Sequence, residues 1–411
     1  MNLRERFHGI MHFDPEVRTL KWEFGYWGAT VDRWYQEGLL PKDYPQTLTA
    51  ITTPTTSLYA NCWSTFRKKG LPPGIGVTGG GLYSQTQCFP VDHDVRNTLR
   101  MDAGQVVVDV NLLFHPIFEP KIIEENDDFL DYVEIDGVAR RYQKKEGVIP
   151  MGTDWPIKDW ASWDQLKRDR LNLKDVRGRL PARWSELVKE YRGRDYPLVL
   201  GGYPHGYFGT LAHLMGYENL FYAYRDAPDL LHDILKTLTD VWMAVYAEVL
   251  ADVEIDALHL WEDISAGSGS MVAPTTMREF MVPYYKRLTS FLKDHGVDIV
   301  LVDTDGDCFD IIPVFLEGGV TGLYPFEVNC GIDIVKVRKT FPRLQMLGGV
   351  PKGEICRGKS AIDKFLEPVE EVLKTGGYVP FVDHLVPPDV SWENFKYYRT
   401  RLNQLIDQYG D

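Results

Sequence analysis

From about residue 196 to the end of the chain, short apolar runs of β-forming residues recur, with a longer helix-patterned stretch between most neighbours. This alternation constrains the chain more than any other feature, because repeated βα units build a parallel sheet whose two faces must both be covered. The runs are 197–202, 257–262, 298–303, 322–327, 344–348 and 378–383. One helix is expected after Pro274, where Met277, Phe280, Met281, Tyr284, Leu288, Phe291 and Leu292 fall at steps of three and four before His295-Gly296 stops the pattern.

The N-terminal half is less regular. A strand is expected at 18–24, and twisted strands at 105–114 and 130–146, the latter folded back at Asp136-Gly137 as a hairpin turn. Residues 74–81 read as a glycine-rich loop. The strand at 18–24, one from the 101–118 region and the six later runs make eight. The expected fold is therefore α/β, a (β/α)8 TIM-type barrel with an N-terminal elaboration containing a β-hairpin. It is read as one domain, 1–411, with 1–195 the elaborated half and 196–411 the regular units. A doubly wound open sheet is the competing topology.

A barrel places reactive side chains where strands end and βα loops begin. The sequence does this repeatedly, in Trp261-Glu262-Asp263, in Asp303-Thr304-Asp305-Gly306-Asp307, at Glu327, in Asp383-His384, in Tyr203-Pro204-His205 and in Trp22-Glu23. Residues two apart on a strand share a face, so Asp303 and Asp305 are expected side by side. Adjacent carboxylates raise one another's pKa unless a cation or a donor lies between them. With His384 arriving from another strand end, Asp303 and Asp305 form an oxygen-rich candidate metal set with one imidazole, suited to zinc, manganese or magnesium. Any single carboxylate after a strand is more often a helix cap or turn former, and it is the set of five such ends that points to chemistry.

Composition removes several alternatives. The 59 Asp and Glu against 45 Lys and Arg leave a net charge of −14, which argues against nucleic acid or an anionic membrane as partner. No stretch offers 18 uninterrupted apolar residues, the first residues carry no apolar leader, and a cytoplasmic location is expected. The five cysteines, Cys62, Cys88, Cys308, Cys330 and Cys356, contain no C-x-x-C pair, which argues against a disulfide framework or a cysteine zinc site. Gly74-Ile75-Gly76-Val77-Thr78-Gly79 satisfies G-x-G-x-x-G but lacks a strand before it and a helix after it, so it is no dinucleotide site. There is no P-loop and no G-x-S-x-G elbow.

The segments Trp261-Glu262-Asp263, Val282-Pro283-Tyr284-Tyr285-Lys286-Arg287-Leu288, Asp303-Thr304-Asp305-Gly306-Asp307, Pro325-Phe326-Glu327-Val328 and Asp383-His384-Leu385-Val386-Pro387-Pro388 resemble the uroporphyrinogen decarboxylase superfamily. Glu5-Arg6-Phe7 and Trp22-Glu23-Phe24-Gly25-Tyr26-Trp27-Gly28 resemble the N-terminus of its methyltransferase-type branch, which serves corrinoid-dependent methyl transfer. The decarboxylases of that superfamily hold an eight-carboxylate substrate with an arginine-rich N-terminal segment, whereas residues 18–28 here contain one Arg and two Trp. Its zinc methyltransferases use a His-x-Cys pair and a later Cys, where this chain has Asp303-x-Asp305 and His384.

What the resemblance implies is methyl transfer from a small methylated compound, such as an aryl methyl ether, to the cobalt of a separate corrinoid protein. Acid catalysis would come from a metal on Asp303, Asp305 and His384, zinc or another divalent ion, or from Glu262 or Glu327 as proton donor. Asp305 and His384 are thus catalytic candidates. Trp22, Trp27, Tyr203, His205, Trp261, Asp263 and Asp383 are candidates for holding the substrate. The alternatives are a decarboxylase or lyase of a small carboxylate working without corrinoid, and a non-enzymatic binding protein on the same scaffold. The helix faces leave a homodimer open.

Overall fold

The computed structural model describes residues 1–42, 44–47, 76–79, 83–85, 90–145 and 149–409. Its centre is an all-parallel sheet of eight strands: β1 Tyr83–Gln85, β2 Gln105–Val107, β3 Leu198–Gly201, β4 Ala257–Trp261, β5 Val300–Thr304, β6 Gly322–Pro325, β7 Gln345–Leu347 and β8 Tyr378–Val379. They lie in sequence order across the sheet, each beside its predecessor, which is the connectivity of a βα barrel. The six regular strands sit where the apolar runs are.

The strand expected at 18–24 is not part of this ladder, and Tyr83–Gln85 takes the eighth place. The 18–24 segment nevertheless runs between the chain around β8 and the residues just before β2. On one side the Thr19 hydroxyl donates to Tyr378 O (2.6 Å) and the Glu23 carboxyl accepts from Val382 N (2.8 Å). On the other, Asp102 N donates to Lys21 O (3.2 Å) and Trp22 Nε1 to Ala103 O (2.9 Å). Its hydrogen bonds run largely through side chains, so it is extended without being a strand. Immediately after it, Gly25–Trp27 pairs antiparallel with Gly76–Thr78, so part of the expected glycine loop is strand and the rest lies outside the described residues.

Alternation along the strands sorts two cores. Leu198, Leu200, Leu258, Leu260, Val300, Val302, Leu323 and Met346 belong to the layer under the helices. Val107, Val199, Ala257, Leu301, Tyr324, Leu347, Val379 and Phe381 form the interior, filled from the N-terminus by Phe7, Leu20 and Trp22. Such a barrel is a packed core with its chemistry at one end.

The expected single helix after Pro274 is two, Pro274–Phe280 and Val282–Asp294, broken at Met281 because Pro283 cannot donate a backbone hydrogen bond to the preceding turn. The hairpin at Asp136-Gly137 is present between Phe129–Val133 and Ala139–Gln143; Lys121–Glu125 and Met151–Asp154 complete a four-stranded antiparallel sheet beside the barrel. Only Gln105–Val107 of the 105–114 run is strand; the chain then leaves the sheet as a loop.

Candidate active site at the barrel mouth

The register of the ladder brings Trp261, Asp303 and Tyr324 into one row across β4, β5 and β6, all on the inward face. Asp303 therefore stands between two ring-bearing side chains at the end of the interior. Burial pushes its pKa well above the usual carboxylate range, and the charges of Asp305, Asp263 and Glu327 push the same way. Asp263 follows in a left-handed turn (φ 45°), its pKa raised to about 6 by burial and by Asp305. The carboxylates expected from the strand ends do gather, with Asp303 as their inner member.

The outer members are paired. Glu327 accepts from Lys352 Nζ (2.8 Å) and Gly306 N (2.9 Å); burial raises its pKa, but these donors outweigh it and leave it lowered. His384 Nε2 lies 3.3 Å from Asp305 Oδ2, with its ring 5.1 Å from that of Phe24. Burial alone would lower the His384 pKa, yet the Asp305 bond and charge raise it overall. Asp383, fully buried, accepts from Lys352 N (2.9 Å) and Asn329 N (3.4 Å), which makes it the support of the loop that carries Lys352.

Glu262 has a different place from its neighbours. Trp261 points inward, so Glu262 points outward, and it is fully buried. Its Oε1 accepts from Tyr207 N (2.8 Å) and the Tyr285 hydroxyl, and its Oε2 from Phe208 N (2.6 Å) and Gly209 N (3.0 Å). It thus caps helix Tyr207–Met215 from another strand. The approach is so close that a Cβ on Gly206 would lie 1.9 Å from Trp261 O. With both oxygens occupied by this cap, Glu262 does not reach the mouth, Glu327 is paired with Lys352, and Asp303 and Asp263 carry raised pKa values.

Of the ring residues, Trp22 is fully buried in the interior, stacked on Phe7, and belongs to the core. Trp27, half-buried, stands before helix Gly28–Gln36. Trp261 does face the mouth, with the Tyr203 ring edge-on to it at 4.8 Å. Tyr203 and His205 line a separate cavity of about 750 Å³ to one side. Three residues that sequence reasoning passed over also shape the mouth: Lys352, Phe24 and Tyr217, whose pKa is raised to about 12 by burial and by the Asp263 and Asp305 charges. Lys352 follows the one late strand end that had been given no polar residue, and reading four residues further would have found it.

The expected metal set does not converge. Among the described residues no group of three or more His, Cys, Asp or Glu side chains is arranged to hold a metal ion. Asp305 is engaged by His384 at 3.3 Å, and with no convergent set among the described residues these side chains as placed do not fit a divalent ion, so no step is derived through one. Cys308, Cys330 and Cys356 are free thiols, and no described helix is long and apolar enough to cross a membrane.

A sequential parallel barrel whose acids and bases collect at the carboxyl ends of the strands defines the class, an enzyme of the TIM-barrel type. The family model of uroporphyrinogen decarboxylase (URO-D) matches residues 137–404, and the chain belongs to that family. Among solved structures it is similar to a methyltransferase from Methanosarcina mazei, at 14% identity and a TM-score of 0.53 over 99% of each chain, a likeness of fold. A B12-independent methionine synthase from Shewanella sp. W3-18-1 also aligns, at 9% identity and a TM-score of 0.36, over 76% of this chain and 84% of that one. No curated protein sequence matches the chain.

Proposed function

We propose that the protein is a methyltransferase that moves a methyl group from a small neutral substrate, an aryl methyl ether in particular, to the cobalt of a separate corrinoid protein. The observation that carries this reading is the inward Asp303, flanked by Trp261 and Tyr324 at the mouth, with its pKa raised by burial and by the carboxylates around it. A phenoxide is a poor leaving group, and a positioned acid lowers that barrier. The partner's corrinoid supplies the nucleophile, a reduced cobalt. As the methyl carbon–oxygen bond breaks, its electron pair stays on oxygen and Asp303 gives that oxygen a proton. A phenol leaves, and the Asp303 carboxylate regains its proton from solvent by way of Asp263.

Charge also favours a neutral substrate. Lys352 and His384 are already matched to Glu327 and Asp305, so a polycarboxylate would meet uncompensated negative charge. This separates the chain from decarboxylation of a porphyrinogen despite its family. A second reading, a corrinoid-independent decarboxylase or lyase of a small carboxylate, is favoured by the family match itself.

The test is to mix the protein with Co(I) corrinoid and 2-methoxyphenol, or a panel of methoxybenzenes, and follow the loss of the Co(I) absorbance and the release of catechol. Wild type is expected to turn over, with a rate that falls on the alkaline side as Asp303 loses its proton. Asp303→Asn is expected to be about 10²–10⁴-fold slower with its fold intact. No transfer from any panel member, or full activity in D303N, overturns the reading. Carbon dioxide release from benzoate-type acids without corrinoid establishes the second one.

A further inference from the structure

The cavity beside the mouth is lined by the loop after β2, the hairpin around Asp136, the turn that carries Arg179 to Trp184, and the Tyr203–His205 loop. Its walls are mostly apolar, with Val110, Leu112, Phe114, Ile135, Leu180 and Trp184 among them. At about 750 Å³ it is within the range that buries a small organic ligand almost completely.

Its polar groups divide into spent and unspent. Asp136 takes two bonds from Arg140 (2.7 and 3.0 Å) and one from His213 Nε2 (2.6 Å), which ties the hairpin to helix Tyr207–Met215. His205 is otherwise placed. Its Nδ1 lies 2.9 Å from Gly202 O, and a carbonyl only accepts, so Nδ1 carries the hydrogen. Burial keeps the ring neutral, with its pKa lowered to about 4, so Nε2 is a bare lone pair. No donor among the described residues reaches it. Arg179 gives its Nη1 to Leu113 O (2.7 Å) and its Nη2 to Arg170 O (2.9 Å), so it is spent on the backbone beside the cavity. His205 lines the apolar cavity and its Nε2 accepts from no described residue, so a ligand hydroxyl is the donor it can take.

We propose that this cavity is a binding site for an uncharged aromatic molecule bearing a hydroxyl group, its rings on the apolar wall and its hydroxyl hydrogen donated to His205 Nε2. The site shares the Tyr203 wall with the mouth but does not depend on the reaction there, so its binding is measured without corrinoid and without turnover.

The experiment is isothermal titration calorimetry with 2-naphthol and with 2-methoxynaphthalene, which keeps the rings and the oxygen but has no hydrogen to donate. Wild type is expected to bind 2-naphthol at one site per chain and the ether at least about tenfold more weakly, the discrimination a buried, otherwise unpaired acceptor gives. His205→Phe is expected to retain ether binding and lose the preference. Leu180→Trp, which fills the cavity from a half-exposed position, is expected to abolish binding of both and keeps the test open should H205F fail to fold. Asp303→Asn is expected to leave both affinities unchanged, which puts the ligand outside the mouth. Equal affinities in wild type, no binding of either compound, a preference that survives H205F, binding that survives L180W, or binding lost in D303N would each overturn the proposal.

Discussion

The outward turn of Glu262 makes a prediction that separates a structural carboxyl from a catalytic one. Its two oxygens serve four donors, the amides of Tyr207, Phe208 and Gly209 and the Tyr285 hydroxyl, all buried. Glu262→Gln keeps the shape but supplies a single acceptor oxygen. If that oxygen stays with Phe208 and Gly209, the new amide group faces Tyr285, which can turn to accept, and Tyr207 N–H, which cannot. One buried donor is orphaned and the remaining bonds weaken, a cost of about 2–4 kcal/mol. With an unfolding entropy of about 2.1 cal/mol/K per residue, 411 residues give about 0.9 kcal/mol/K, so Tm is expected to fall by about 2–5 °C. Glu262→Ala orphans all four donors and opens a cavity, and little soluble protein is expected from it. The assay is differential scanning calorimetry of wild type and E262Q at one scan rate, beside methyl-transfer rates at a temperature where both are folded. An unchanged Tm together with a lost rate would refute the capping role and return Glu262 to the chemistry.

Two further expectations follow from the buried ion pairs. Because the Glu327 pKa is lowered in the folded state, its pairing with Lys352 stabilises above the ordinary carboxylate range and is lost as pH falls through the lowered value. Lys352→Met is therefore expected to cost about 1–3 kcal/mol near neutrality, given that both side chains keep some solvent contact, and to flatten the acid-side decline of Tm; parallel Tm-against-pH curves for variant and wild type would contradict this. Arg399 and Glu23 meet at 3.2 Å with no solvent exposure, and Glu23 also holds Val382 N at the closing seam. Arg399→Met is expected to lose about 3–5 kcal/mol by stranding Glu23, and adding Glu23→Gln to recover part of it; denaturant midpoints no better for the double variant than for the single would count against the pairing.

What was readable in the sequence, and what was not, divides along one physical line. Parallel strands buried on both faces must be apolar throughout, so β3 to β8 stood out as runs, and carboxylates at their ends marked the mouth. The 18–24 segment has the same apolar, extended character, but periodicity reports burial and cannot report whether the backbone or the side chains make the hydrogen bonds; here Thr19 and Glu23 make them. The sorting of the carboxylates was partly readable: once Trp261 is taken as inward, period-two alternation turns Glu262 outward, and the same count turns Asp303 inward with Leu301. Lys352 was not readable in that way. It reaches Glu327 only because the chain leaves β7 through Gly348 and Gly349, both with positive φ (96° and 76°), and a glycine pair frees the backbone from any pattern that would say where the next side chain goes. The carboxylates of the mouth therefore come from the regular part of the fold, while the cation that pairs with Glu327 and lowers its pKa comes from an irregular turn, so the preference for Asp303 over Glu327 in the proposed mechanism rests on a residue that strand periodicity does not locate.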